Sequence, residues 1–249
     1  MDKVFMLLLI FSFGSVFGWI IELIFRRIIN KNKKWVNPGF LVGPYLPIFG
    51  FGILILFLIA SLADRIFIPS VILKNIVLLL LMGAAMTLLE YIAGVIFIKK
   101  MKVKLWDYSG SWGNFRGIIC PLYSFFWMLL GALYYYTLHP YINNLVRFAY
   151  ENKAIYFSVG MFYGFFIVDL VYSAQILVKI KRFADENKMV VKLEALKENI
   201  IRSAEERKKR VKFFLILSSE NSIFSHLKSY KESAERIRAE IRNKIKKNK

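Results

Sequence analysis

The chain has 249 residues, 57% hydrophobic and 16% aromatic, with a formal net charge of +19 from 36 Lys and Arg against 17 Asp and Glu. Its mean hydropathy of +0.48 and its uninterrupted apolar runs of about 20 residues exclude an ordinary soluble domain, whose apolar residues recur periodically rather than in blocks. A single cysteine, Cys120, excludes a disulfide within the chain and a cysteine metal cluster.

Five runs are long enough to read as membrane spans, near 4–25, 40–63, 76–98, 120–138 and 155–178. The first is long for a signal-peptide core and ends in Arg26-Arg27 without a small-residue cleavage site, so it reads as a retained span. Pro44 and Pro47 interrupt the second, with Gly39, Gly43, Gly50 and Gly52 around them, and its first turns are expected to be irregular.

Charge sets the orientation. Arg26, Arg27, Lys31, Lys33 and Lys34 follow the first span, Lys99, Lys100, Lys102, Lys104 and Arg116 follow the third, and 21 basic residues follow Val178. The alternate segments hold only Lys3, Arg65, Lys74, Arg147 and Lys153, which makes 31 against five. The positive-inside rule then places the N-terminus outside and the C-terminus in the cytoplasm. The outside loops read as plain connectors.

The expected fold is therefore all-α: a polytopic membrane protein with five transmembrane helices in residues 1–180 and a basic, amphipathic cytoplasmic helical tail in 181–249. Within the tail Met189, Leu193, Leu196, Ile200, Ala204, Val211 and Phe214 recur at helical steps, Ser218 to Ser222 read as a break, and a second charged helix follows. Two readings of the tail stay open. It is a solvated extension attracted to anionic lipid headgroups, or a coiled coil or docking surface for a cytoplasmic partner. Nucleic acid is not expected, because ten acidic residues offset the basic ones along the same helices.

Three acids fall inside the spans: Glu22, Glu90 and Asp169. Charge in a span is costly and ordinarily faces a cavity or a protein partner. Glu22 lies four residues before Arg26, the spacing of a helix-end ion pair, whereas Glu90 and Asp169 are deeper and read as lining a cavity or a buried polar network. With them belong the broken entry (Gly43, Pro44, Pro47, Gly50) and a second loop holding Trp106, Asp107, Tyr108, Ser109, Asn114, Arg116, Gly117 and Cys120. Gly/Pro-broken membrane entries leave backbone groups unpaired, and transporters build binding sites from such segments. A weak internal repeat runs through both halves: an acid (Glu22, Glu90), a tryptophan (Trp35, Trp106), then a small residue and proline (Gly43-Pro44, Cys120-Pro121).

The run from Gly39 to Gly52, the Trp106-Asp107-Tyr108-Ser109 box and Asn114 to Cys120 closely resemble the ABC-transporter type IV (CmpB-like predicted permease) family of bacteria. Ser124, Trp127, Asp169 and Ser173 look like its later motifs, and the resemblance covers roughly residues 1–180. Pro38 and Met128 depart from it, standing where the family usually has Arg and Gly. The resemblance implies a transport permease subunit. The sequence has no Gly-x-x-x-x-Gly-Lys-Ser/Thr loop, so ATP hydrolysis by the P-loop route would come from a separate cytoplasmic ATPase subunit, and five spans would favour a homodimer. No cofactor or metal is expected, and no catalytic triad is recognisable. Two other functions stay open. One is a scaffold or sensor recruiting a partner through its tail. The other is an inner-surface enzyme acting on lipid headgroups through Asp107, Ser109, Asn114 and Arg116.

Overall fold

In the computed structural model, residues 3–29, 35–65, 67–206, 214, 216–218 and 223–247 are described. Lys31, Lys33, Lys34, Val211 and the expected break over 219–222 lie outside them. The helices are α1 (Lys3–Ile29), α2 (Pro47–Leu62), α3 (Val71–Met101), α4 (Pro121–Leu133), α5 (His139–Glu151), α6 (Lys153–Glu186), α7 (Leu193–Glu206) and α8 (Ile223–Lys247). The all-α expectation holds. Two residue pairs form the short parallel ladder of β1 (Val103–Lys104) and β2 (Val191–Lys192).

Among the described residues three helices are long and apolar enough to cross a membrane, Lys3–Ile28, Val71–Met101 and Lys153–Glu186. The second expected span is shorter than the expectation. α2 has 16 residues, about 24 Å of helix against a hydrocarbon core of about 30 Å. The reason lies before it: residues 37–46 are not helical, and Pro47 opens α2 at its first turn, where a missing N–H costs nothing. α4 has 13 residues and passes through one π turn, Tyr134–Leu138, into α5.

The segment after Leu138 also corrects the reading of a plain connector. It is the amphipathic helix α5, whose Ile142, Val146 and Ala149 are buried. They share a core with Leu9 and Ile10 of α1, Leu56, Phe57 and Ala60 of α2, Met82 and Met86 of α3, and Tyr134. Arg147 and the two asparagines Asn143 and Asn144 alternate with those apolar positions, so sequence hydropathy averages out over a stretch whose one face is core.

α1 and α2 form the most extensive helix pair. Small residues permit it: a Cβ on Gly50 would stand 2.2 Å from Ser15 Oγ and 2.8 Å from the Phe11 carbonyl oxygen. α6 joins α1 through aromatic contacts, with Phe5 stacked on Tyr156 at 3.7 Å between centroids and Phe11 against Tyr163 at 6.2 Å.

The chain divides into two compact units, Met1–Val95 with Asp107–Val171, and Ile96–Trp106 with Tyr172–Lys249. In the second, α7 packs on α8. Leu193, Leu196, Ile200, Leu227 and Tyr230 are buried, and Asn199 bonds both Ser229 and Ser233. The apolar stripe read in the tail is thus spent largely within the tail itself.

Candidate functional site: two carboxylates that hold two broken loops

The backbone of residues 37–46 has no helix or strand to satisfy its polar groups, and unpaired groups in a membrane protein cost free energy. The Asp169 side chain of α6, the segment's own Asn37 and a backbone carbonyl of α1 supply the partners. Asp169 of α6 accepts the Val42 N–H at 3.1 Å through Oδ1, and through Oδ2 the Gly43 N–H at 2.7 Å and the Tyr45 hydroxyl at 2.6 Å. Asn37, only 2% exposed, accepts the Trp19 indole N–H at 2.7 Å and donates to the Leu41 and Val42 carbonyls. The Leu46 N–H donates to the Ser15 carbonyl of α1 at 2.9 Å.

The local sequence shapes this loop. Pro44 centres a three-residue turn closed by the Tyr45 N–H and the Gly43 carbonyl at 2.9 Å, a conformation its fixed φ suits. Gly39 has φ +72°, a left-handed value that disfavours side chains, and a Cβ there would stand 2.5 Å from Leu46. The Tyr45 ring stands edge-on to Phe162 and Phe166 of α6, which keeps its hydroxyl beside Asp169.

Glu90 of α3 reaches the second loop through a side chain. It is 3% exposed and accepts the Tyr108 hydroxyl at 2.9 Å and the Trp127 indole N–H of α4 at 3.1 Å. Tyr108 also stacks on Tyr123 at 4.1 Å. Burial, followed by the adjacent Glu90, raises the Tyr108 phenol far above its usual value.

The rest of that loop is internally bonded. Asp107 Oδ1 accepts the Ser109 N–H at 3.1 Å and its hydroxyl at 2.5 Å. Asn114 donates to the Ser109 and Ser111 carbonyls and accepts the Gly117 N–H at 3.0 Å. The Tyr108 N–H donates to the Gly117 carbonyl at 3.0 Å. Cys120 is buried and extended, and Pro121 opens α4 after it. Trp106 is half-buried. Arg116 is exposed, has φ +56°, and donates to the Tyr91 hydroxyl of α3 at 3.2 Å.

Glu22 stands apart from both loops in its partner. It pairs with Arg26 at 2.6 Å, one turn away on α1, and both side chains are about a quarter exposed. Within electrostatic reach of Glu90, it holds neither broken segment in a described bond.

One groove of about 560 Å³ opens between α3 and α4, lined by Leu80, Ala84, Leu88 and Tyr91 on one side and Phe125 and Met128 on the other, among others. None of Glu22, Glu90 and Asp169 lines it. Among the described residues no group of three or more His, Cys, Asp or Glu is arranged to hold a metal.

Sequence reading named both carboxylates but missed Asn37, Trp19 and Tyr45. Asn37 carried a signal: an asparagine before Pro38-Gly39 is a residue that bonds nearby backbone groups. Trp19 carried none, because an indole in an apolar run looks like one more core residue.

Residues 9–174 match the model of a family described as "Putative ABC-transporter type IV". The chain belongs to this family. No curated protein and no solved structure matches it. Both loops and both carboxylates fall inside the matched residues. The ABC-transporter type IV assignment and the three long apolar helices together make this a membrane protein.

Proposed function

We propose that the chain is the membrane-embedded, permease-like subunit of an ABC-type transport system, with energy supplied by a separate cytoplasmic ATPase. Besides the family assignment, one observation carries the reading. Asp169 gathers the donors of a non-helical ten-residue segment spanning 37–46. A non-helical segment held by a few discrete hydrogen bonds to α6 and α1 can change its partners without unwinding a helix, as the broken segments of transporters do. Segment 37–46 is then the moving part of the pathway. Glu90 and Asp169, with Gly43, Pro44, Pro47 and Gly50, surround a cavity that opens to the cytoplasm in the course of transport.

The five-span topology in a bacterial inner membrane, N-terminus outside and C-terminus in the cytoplasm, belongs to the same proposal. So do a homodimer and attraction of the basic loops and tail to anionic headgroups. The charge count, 31 basic residues against five on alternate sides, supports the orientation. Reporter fusions after residues 36, 68, 104, 152 and 190 test it, and any fusion on the side opposite to the alternation refutes it.

Affinity purification from native membranes in mild detergent tests the central claim. A stoichiometric ATPase is expected in the eluate. Its absence, together with full vesicle transport by both Glu90→Gln and Asp169→Asn, would overturn the reading.

A second reading has support from the tail. With its apolar residues buried between α7 and α8, the tail presents exposed Lys228 and Arg236 outward, which suits recruitment of an acidic soluble partner. Under that reading, reversing Lys228 and Arg236 to Glu abolishes recruitment and leaves transport intact.

A further inference from the structure

The α3/α4 groove has a feature that the transport reading does not use. From Leu80 to Tyr91 it follows α3 for eleven steps, about 16 Å at a rise of about 1.5 Å per residue. That is about half of a hydrocarbon core about 30 Å thick. Its Thr87 hydroxyl donates to the Gly83 carbonyl at 2.8 Å within its own helix, and apart from Ser124 and Tyr91 the rest of the wall is apolar. The groove gives onto lipid-facing surface, because Leu80 and Leu88 beside it are each 57% exposed.

One end of the groove is cationic. Tyr91 lines it, and the Tyr91 hydroxyl takes one bond from the Arg116 guanidinium. A guanidinium has five N–H donors in a planar fork that suits phosphate. Among the described residues no carboxylate lies within ion-pairing distance of Arg116. The loop around it also carries exposed Trp112 (87%) and Phe115 (51%), and exposed aromatic rings of this kind sit at the headgroup level.

We propose that this groove binds one anionic phospholipid, with an acyl chain lying along α3 between Leu80 and Tyr91 and its phosphate held by Arg116. The volume falls in the usual range of small-molecule sites, about 300–1,000 Å³. The apolar wall supplies affinity for the chain, and Arg116 selects the headgroup charge. The proposal stands independently of transport.

Native mass spectrometry of the full-length protein in mild detergent tests it, with dioleoyl-phosphatidylglycerol and dioleoyl-phosphatidylcholine as probes. The unmodified chain should retain one phosphatidylglycerol in about fivefold preference, the effect of one basic side chain near an anionic headgroup. Arg116→Gln, at an exposed loop position, should remove the preference and keep weaker binding of both lipids. Ala84→Phe and Leu88→Trp, each filling the groove from its exposed side, should each lower retention of both lipids. Glycerol 1-phosphate should not compete, because it lacks the chain. An undiminished preference in Arg116→Gln, unchanged retention in either groove variant that runs as a single species on gel filtration, or displacement by glycerol 1-phosphate would overturn the proposal.

Discussion

Asp169→Ala removes the acceptor for three donors at once: the Val42 N–H, the Gly43 N–H and the Tyr45 hydroxyl. Hydrogen bonds measured inside membrane proteins average about 0.6 kcal/mol, which gives a lower bound of about 2 kcal/mol for the three. If the donors stay buried and unmatched, each costs about 1–3 kcal/mol, or about 3–9 kcal/mol for the three. At about 2–4 °C per kcal/mol for a chain of this size, the melting temperature in mild detergent should fall by at least about 4 °C. Because the bonds hold one segment, limited proteolysis should open new cleavage sites within 37–46 before elsewhere. Tyr45→Phe removes one donor of the three and should show about a third of the shift. An Asp169→Ala protein with unchanged melting and an unchanged cleavage pattern would refute the claim that this carboxylate holds the loop.

The remaining predictions concern the other contacts. Glu90→Gln keeps an acceptor for only one of Tyr108 and Trp127, so it should lower stability by about 1–3 kcal/mol; adding Trp127→Phe to remove the unmatched donor should restore part of that loss in thermal melts, and a purely additive double variant would count against the pairing. Gly50→Ala forces α1 and α2 apart against Ser15 Oγ and the Phe11 carbonyl and should cost about 1–3 kcal/mol. Ser15→Ala should be neutral or stabilising in the same assay, because among the described residues the buried Ser15 hydroxyl has no partner. Alkaline pH should act through Tyr108, whose folded-state phenol is raised by burial and by the neighbouring Glu90. Its stabilising contribution is fully present below the ordinary phenol value near 10 and is lost as pH rises above it, when the unfolded chain ionises first. Melting temperature followed from pH 8 to pH 11 should therefore fall less steeply in the Tyr108→Phe variant than in the unmodified chain.

The sequence by itself determined that this is a helical membrane protein of the ABC-transporter type IV family. Blocks of apolar residues, the Gly/Pro run and the Trp-Asp-Tyr-Ser box are local signals, readable without knowing what touches what. It also picked out Glu90 and Asp169, because an acid in an apolar run is conspicuous wherever its partner stands. What the acids do was not local. Asp169 meets Val42 across a sequence separation of 127 residues, and Glu90 meets Trp127 across 37. Only the packing of α6 beside the first loop, and of α4 beside α3, brought two backbone N–H groups and a tyrosine hydroxyl to Asp169, and a tyrosine hydroxyl and an indole N–H to Glu90. The same holds for α5, which hydropathy reads as a connector until Ile142, Val146 and Ala149 find the core. A helix with one buried face has an average polarity close to that of a loop, and only its neighbours decide between them.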